Sequence, residues 1–448
     1  MPLTELADSL EATLVGEDAW FTGCNTDSRS VKPGEMFIAL HGARFDGHEF
    51  VTQASARGAC AALVERTLDH VSLPLVIVDN SRKAMGRIAG LWRQHFDIPL
   101  VAVTGSNGKT TVKEMLSSIL IRQAPVLSTR GNLNNDIGVP LTLFGLGHEH
   151  RYAVIEMGAN HKGEIACLSN MTNPTVALIT QCAAAHLEGF GSVEGVALAK
   201  AEIFQGLAAD GIAIVNADDS YAAIWMRKAT PYRQISFGIE HDADVCADQI
   251  HFDKSTVKER FRLHSPAGEI DVQLSLPGQH NIYNALAAAA CCTAIDIPLD
   301  LIKTGLEMLQ PFKGRLRFMK GFNQSSVYDD TYNANPASLE AALKVLSSHS
   351  GRRWLVLGDM GELGVSAPSL HRHAGEVARA SGVERLYALG QLSKHAVEGF
   401  GNGARHFSDE DALIECLRAT MDESVTVLVK GSRAMAMENI VTALTEEC

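Results

Sequence analysis

Apolar and polar positions along the chain fall into repeated short blocks, and the plainest is the stretch 100–121, LVAVTGSNGKTTVKEMLSSILI. It opens on an unbroken apolar run at 100–103, which predicts a parallel strand buried on both faces. A polar, glycine-containing interruption follows at 104–111. Then Val112, Met115, Leu116, Ile119 and Leu120 recur at the spacing of one helix face. The same strand–turn–helix grammar predicts strands at Val126–Ser128, Tyr152–Glu156, Val176–Ile179 and Ile212–Asn216, and hence a parallel sheet. Residues 241–276 instead alternate polar and apolar, predicting antiparallel hairpins around Ser265-Pro266, and an alanine-rich helix follows Pro277-Gly278.

Upstream, residues 1–14 predict an amphipathic helix. Strands are expected at 36–40, Ala61–Val64 and 75–78, with helices at 53–57 and 83–97. Downstream, strands at 326–329, 354–357, 386–389 and 425–429 each run into a turn, the pattern of a second open α/β sheet. The expected fold class is α/β in three domains: a small N-terminal α/β domain (1–82), a central P-loop-type ATPase sheet (83–312) and a C-terminal Rossmann-like domain (313–448). A length of 448 residues agrees, at about 150 residues per domain.

Composition narrows the function classes. The net charge of −13, with no basic patch, argues against a nucleic-acid partner. The N-terminus carries acids and no basic start, unlike a signal peptide. No apolar run approaches the ~20 residues of a membrane span. Nine scattered cysteines without a C-x-x-C pair fit reduced thiols, so a cytoplasmic protein is expected.

The candidate chemistry gathers at predicted strand ends. In Thr104-Gly105-Ser106-Asn107-Gly108-Lys109-Thr110-Thr111 the glycines let backbone N–H groups approach an anion. The helix end adds partial positive charge, Lys109 adds a full one, and the Thr110 hydroxyl suits Mg²⁺. The longer G-x-x-x-x-G-K-[ST] pattern is not met, because Val103 stands at its first glycine. A bare glycine turn is the alternative; Lys109 and two threonines directly after a strand favour nucleotide phosphate, and so ATP.

Glu156, ending an apolar strand beside that loop, suits Mg²⁺ or is a surface carboxylate. His186, in QCAAAHLEGFG, and Lys200, in ALAKAEIF, read locally as loop and solvated-helix residues. The loop Thr129 to Pro140, with Asn134 and Asn135, offers amides for a peptide or sugar, or serves as a turn. Asn281 and Asn284 share a helix face and either read an adenine edge or cap the helix. The polar loop Arg44 to Phe50 is a ligand loop or ordinary Asp-Gly turn chemistry. Asp330-Thr331-Tyr332-Asn333-Ala334-Asn335-Pro336 is a further strand-to-helix turn rich in ligand-type residues.

Taken in order, TGSNGKTT, strand-end Glu156, His186, KAEIF, HNIYNALAA, GRLR from 314 and DDTYNANP resemble the Mur ligase family, ATP-dependent amide-forming enzymes of cell-wall precursor synthesis, along essentially the whole chain. GNLNNDIGVP, ANHKGEI, AAAHLEGFGS and GDMGELG are most similar to the members that add D-alanyl-D-alanine to UDP-N-acetylmuramoyl-tripeptide. TDSRSVKPGEMFIALHG is similar also to the sister enzyme adding the third residue, whose D-N-P-R motif is missing here.

The resemblance implies ATP on Gly105, Asn107, Gly108, Lys109, Thr110 and Thr111, with one Mg²⁺ on Thr110 and Glu156. A second Mg²⁺ is implied on His186 and a carbamylated Lys200, which with Lys109 form the catalytic set. Asn281 and Asn284 would lie toward adenine, and Arg315 and Asp330 would approach the nucleotide when the third domain closes. Thr26, Ser28, Asp46 and His48 would sit near the UDP end of the substrate. Asn134, Asn135, Tyr332 and Asn333 would be further substrate contacts, with Lys430 to Arg433 and Asp359 to Glu362 as candidates in the closing domain. A monomer is expected. The competing readings are the sister ligase adding diaminopimelate or lysine, a folylpolyglutamate synthase, whose chain normally begins near its phosphate loop, and an ATP-hydrolysing switch.

Overall fold

Three apolar blocks close as three separate sheets. The computed structural model describes residues 1–42, 45–253 and 256–445. Arg44 of the polar loop, and Lys254 and Ser255 of the predicted hairpins, lie outside the described residues.

The central sheet has nine strands. From one edge, Gly268–Leu274, Lys258–Ser265 and Val245–Asp253 pair antiparallel. Arg233–Gly238, Ile212–Asn216, Val176–Ile179, Leu100–Thr104, Tyr152–Glu156 and Val126–Ser128 follow in parallel. Every residue of Leu100–Thr104 is buried. Val101 and Val103 enter the core on one face, with helices Lys109–Leu120 and Gln279–Ala294; Leu100 and Ala102 enter the core on the other. This is why the run is apolar without alternation. From Leu100–Thr104 the chain goes out to the edge strand Val126–Ser128, returns to Tyr152–Glu156, then crosses to Val176–Ile179 on the other side. The carboxyl end of Leu100–Thr104 is therefore a topological switch point, where a crevice opens.

The N-terminal sheet runs Thr13–Val15, Leu75–Ile77, Ala61–Val64, Glu35–Ile38, Gly23–Asn25, parallel except at its first pair. The C-terminal sheet runs Arg317–Lys320, Ser326–Asp330, Val425–Lys430, Arg352–Gly358, Arg385–Leu389, Ala404–Phe407, also with one antiparallel edge. Helix Ser81–Arg93 joins the first two units: Ala84, Met85 and Ile88 pack into the N-terminal core and Ala89 into the central one.

The helix expected at 53–57 is Val51–Ala56, and two further predicted helices differ more from the observed ones. The first ends at Leu10, not 14: Glu11 turns into the left-handed region (φ 58°), and Thr13–Val15 leaves to pair with Leu75–Ile77. The helix expected at 83–97 is Ser81–Arg93, started by Asn80, whose side chain accepts the Lys83 N–H at 2.8 Å. Its end is held by the buried Arg93 guanidinium, which donates to the carbonyls of Phe96, Ile98 and Thr172. Burial and those three carbonyls draw the chain off the helical path before Asp97.

The helix that starts at Lys109 is braced from outside by helix Leu299–Met308. Ser118 Oγ donates to the Gly305 carbonyl at 2.7 Å, and a Cβ at Gly305 would lie 2.5 Å from Ile119 Cα. Gly305→Ala must push the two helices apart, an overpacking cost of about 1–3 kcal/mol. The variant is expected to unfold at correspondingly lower urea concentration, and a midpoint equal to that of the wild-type protein would show that the contact is not limiting.

Candidate active site

A cavity of about 1290 Å³ opens where the carboxyl end of Leu100–Thr104 faces the C-terminal sheet. Its floor is the glycine turn. Gly105 (φ 147°) and Gly108 (φ 84°) hold conformations and contacts that other residues would not tolerate: an added Cβ would fall 1.9 Å from Thr180 Oγ1 and 2.3 Å from Asn284 Oδ1. Val103 is an interior strand residue, registered with Glu156 on one side and Leu178 on the other, so the turn begins only after it. Thr180 Oγ1 donates to the Asn107 carbonyl at 2.6 Å, and Ser106 N–H to the Gln181 carbonyl at 2.9 Å, fixing the loop from the next strand.

Lys109 Nζ folds back onto the Gly105 carbonyl at 2.7 Å. Burial, with the nearby Arg315 charge, pushes its pKa below the ordinary lysine value, while Glu156 opposes that shift. Glu156 is 2% exposed; its Oε1 accepts from Asn134 Nδ2 at 2.8 Å, and its Oε2 is buried with no hydrogen-bond partner among the described residues. A buried, half-satisfied carboxylate and the Thr110 hydroxyl, which line the same cavity, are the donor types a hard divalent cation takes. Among the described residues no three His, Cys, Asp or Glu side chains cluster as a closed metal site, so a cation here would need oxygen ligands from a bound phosphate.

Lys200 sits in helix Val193–Ala201, capped by Ser192, whose hydroxyl accepts the Gly195 N–H at 3.0 Å. The residue is 1% exposed yet lines the cavity, so it is not the solvated helix lysine of the local reading. Its ammonium lies 5.4 Å from the Phe190 ring centroid and makes no hydrogen bond among the described residues. Burial, then the Lys109 charge, brings its pKa down to about 7, so much of it is a neutral amine near neutrality. His186 packs edge-on to the same Phe190 ring at 6.5 Å and holds a left-handed backbone (φ 52°). Its Nδ1 lies 2.5 Å from Glu362 Oε2, across the gap between sheets, and this imidazole holds the Glu362 carboxyl below its ordinary value.

The C-terminal sheet supplies the opposite wall. Arg315 stacks on Tyr332 with 4.0 Å between guanidinium and ring centroid, and its Nη2 donates to Thr110 Oγ1 at 3.3 Å. Asn335 caps helix Pro336–Ser347 and also exchanges amide hydrogen bonds with Asn107, at 2.7 and 3.4 Å. Asp330 is neutralised by Lys430 at 2.5 Å and accepts the Leu316 N–H at 3.2 Å; Lys430 also donates to the Asn333 carbonyl at 2.9 Å.

Most of the residues named from sequence therefore border one cavity: Asn107 to Thr111, Asn134, Asn135, Glu156, His186, Lys200, Asn281, Asn284, Arg315, Asp330, Tyr332 and Asn333. Their partners qualify some readings. Asn281 Nδ2 is spent on the Pro277 carbonyl (2.8 Å) and Asn284 Nδ2 on Asn281 Oδ1 (3.0 Å), so only Asn284 Oδ1 is left, and it lies against Gly108. Asn135 Oδ1 accepts the Gly138 N–H at 2.9 Å and starts helix Gly138–Leu143.

Thr26, Ser28, Asp46 and His48 lie in the N-terminal unit and do not line the cavity. Ser28 Oγ donates to Gln53 Oε1 at 2.7 Å. Asp46 pairs with Arg66 at 2.8 Å and His48 Nδ1 at 2.5 Å, while His48 Nε2 accepts the Glu65 N–H at 2.9 Å. Sequence reading missed Asp218, which borders the cavity behind strand Ile212–Asn216. Against the burial that opposes it, the N–H groups of Ile239 and Glu240, with Tyr283 and His241, hold its carboxyl at about 2. Its signal was the strand-end NADDS. Asn335 was within a quoted motif, but its partner 228 positions away was not visible.

Comparison with known proteins agrees with this arrangement. Family models described as "Mur ligase family, catalytic domain", "Mur ligase middle domain" and "Mur ligase, glutamate ligase domain" match residues 21–93, 103–292 and 314–433. The chain is 46% identical to the UDP-N-acetylmuramoyl-tripeptide--D-alanyl-D-alanine ligase of Escherichia coli, over 99% of this chain and 98% of that one. Its fold is similar to a crystal structure of MurF from Acinetobacter baumannii (TM-score 0.92, 38% identity, 99% and 98% coverage). It is also similar to the MurF ligase of Thermotoga maritima in complex with ADP (TM-score 0.83, 25% identity, 94% and 96% coverage). With full-length likeness in sequence, fold and domain order, this chain belongs to the Mur ligase family.

Proposed function

We propose that the chain is the ATP-dependent ligase that joins D-alanyl-D-alanine to UDP-N-acetylmuramoyl-tripeptide in peptidoglycan precursor synthesis. The observation that carries this is a phosphate loop whose lysine and threonine face a second sheet across one large cavity, in a chain 46% identical to a ligase of that name along its length.

A carboxylate is a poor acyl donor because its oxygen leaves badly. Phosphoryl transfer from ATP converts it to an acyl phosphate, which the amine of the dipeptide attacks, expelling phosphate and leaving an amide. Lys109 is poised for the charge that builds on the transferred group: an anion draws its ammonium off the Gly105 carbonyl at little reorganisation cost. Arg315, already on Thr110, adds a second cation from the C-terminal wall. Closing that wall excludes the water that would hydrolyse the acyl phosphate.

Thr110 and Glu156 are the residues that would hold Mg²⁺, which when bound neutralises phosphate charge as a Lewis acid. The buried, unpaired Glu156 Oε2 supports that assignment. We assign His186 and Lys200 to a second ion, with Lys200 carbamylated: the neutral amine that burial favours is the form that takes up CO₂, and the product is an anionic oxygen donor. Asn134 and Asn135, with Tyr332 and Asn333, are proposed contacts of the muramoyl-peptide. Thr26, Ser28, Asp46 and His48 are proposed for its UDP end, which would have to reach beyond the cavity. The protein is proposed to act as a cytoplasmic monomer; among the described residues no helix is long and apolar enough to cross a membrane.

ADP release by purified protein with Mg²⁺ is expected to require both the UDP-tripeptide and D-alanyl-D-alanine, with a UDP-pentapeptide product by mass. Release with ATP alone would instead mark a hydrolysing switch, and a requirement for a free amino acid with the UDP-dipeptide would mark the sister ligase. Lys109→Ala is expected to abolish release. Lys200→Ala should lower kcat by about a hundredfold or more, the loss of several kcal/mol of charge stabilisation, with partial rescue by short carboxylic acids and none by bicarbonate. Wild-type turnover in Lys200→Ala would remove the carbamate assignment.

A further inference from the structure

The C-terminal wall contributes two carboxylates to the cavity among the described residues, Asp330 and Glu362. Asp330 is committed to Lys430 at 2.5 Å and to the Leu316 N–H. Among the described residues Glu362 has no ion pair with a cation of its own domain. Its carboxylate crosses to His186, and its side chain is 53% exposed, so it is open to an arriving group.

The loop that carries it is built to hold that position. Asp359 accepts the N–H groups of Gln391, Leu392 and Ser393 at 3.0, 3.0 and 2.7 Å, and Ser432 N–H donates to the Asp359 carbonyl at 2.9 Å. Met360 N–H donates to the buried His371 Nε2 at 2.9 Å. Met360 (0% exposed) and Leu363 (2%) are both sunk in the C-terminal core, which leaves Gly361 and Glu362 as the projecting tip. Glu362 takes the left-handed conformation (φ 61°), which a residue with a side chain adopts reluctantly and keeps where its surroundings impose it. Through His186, whose ring shares Phe190 with Lys200, the carboxylate stands on the side of the cavity proposed above for the second ion.

We infer that Glu362 receives the ammonium group of the incoming D-alanyl-D-alanine and positions that nitrogen beside the activated carboxyl, an inference that rests on the ligase reading above. At neutral pH an α-amino group with pKa near about 8 arrives largely protonated and must shed water to enter the cleft. A carboxylate that faces the cavity without a hydrogen-bond donor from its own domain among the described residues replaces that water with a charge-assisted hydrogen bond.

The test is initial-rate kinetics of the full-length enzyme and of Glu362→Gln and Glu362→Asp, with N-propionyl-D-alanine, a dipeptide analogue lacking the ammonium, as competitor. Glu362→Gln is expected to raise KM for D-alanyl-D-alanine by about ten- to a hundredfold, the weight of a hydrogen bond to a charged group, and to leave KM for ATP and the UDP-substrate unchanged. Glu362→Asp, which keeps the charge, should fall between. The inhibition constant of N-propionyl-D-alanine should be the same in all three proteins. An unchanged KM for D-alanyl-D-alanine in Glu362→Gln overturns the inference. So does a parallel rise in KM and in the inhibition constant, which would mean that the loop has moved and no charge was read. A wild-type enzyme that releases ADP without any amine removes the ligase reading itself, and the inference falls with it.

Discussion

A nucleoside triphosphate brings several negative charges into a cleft that must stay dry, so matching positive charge has to be in place before it arrives. In this chain the requirement falls on Lys109, half-buried at a helix N-terminus with its ammonium parked on the Gly105 carbonyl. That parking contact makes a partly desolvated cation tolerable without a ligand, and it is weak enough to be exchanged for phosphate. Everything near it serves the same constraint. Gly105 and Gly108 let Thr180 and Asn284 close to distances no Cβ permits, and the fully buried strand before them gives the turn a fixed base.

The second requirement is that the charged floor be covered. Three contacts reach over from the C-terminal sheet: Arg315 to Thr110, Asn335 to Asn107 and Glu362 to His186. Each joins polar groups, so the contacts add little stability and can be exchanged for ligand. The rigid parts lie one layer back, where Asp359, His371 and the Asp330–Lys430 pair fix the loops that carry the exchangeable groups.

Local pattern served well where burial on both faces or helical periodicity was strong. Tyr152–Glu156, Val176–Ile179 and Ile212–Asn216 were legible to the residue, as was the half-buried edge strand Val126–Ser128, and so was the turn after 103. It served poorly at other sheet edges. Thr13–Val15 was read into a helix, and Arg317–Lys320 and Ala404–Phe407 were not read at all, because a short edge strand takes its order from a neighbour far off in sequence. Lys200 shows the same limit for chemistry: nothing in ALAKAEIF marks it off from a solvated lysine, and only packing against Phe190 beneath Lys109 buries it. His48 shows the converse, since its ligand-like loop holds the Glu65 N–H and Asp46 within its own unit.

By itself, then, the sequence determined what depends on neighbours in the chain: a phosphate turn, because strand, glycines, lysine and helix start are contiguous, and three α/β units, because each repeats its own local period. The order of its motifs also carried the family. Which side chains share a cavity was decided only in three dimensions. Asn107 and Asn335 stand 228 residues apart and meet at 2.7 Å, and the half-satisfied Glu156, the Lys430-paired Asp330 and the His186-facing Glu362 differ only in what folding brings beside them. Charge, burial and hydrogen-bond satisfaction are properties of surroundings, and surroundings come from chain segments that no local window contains.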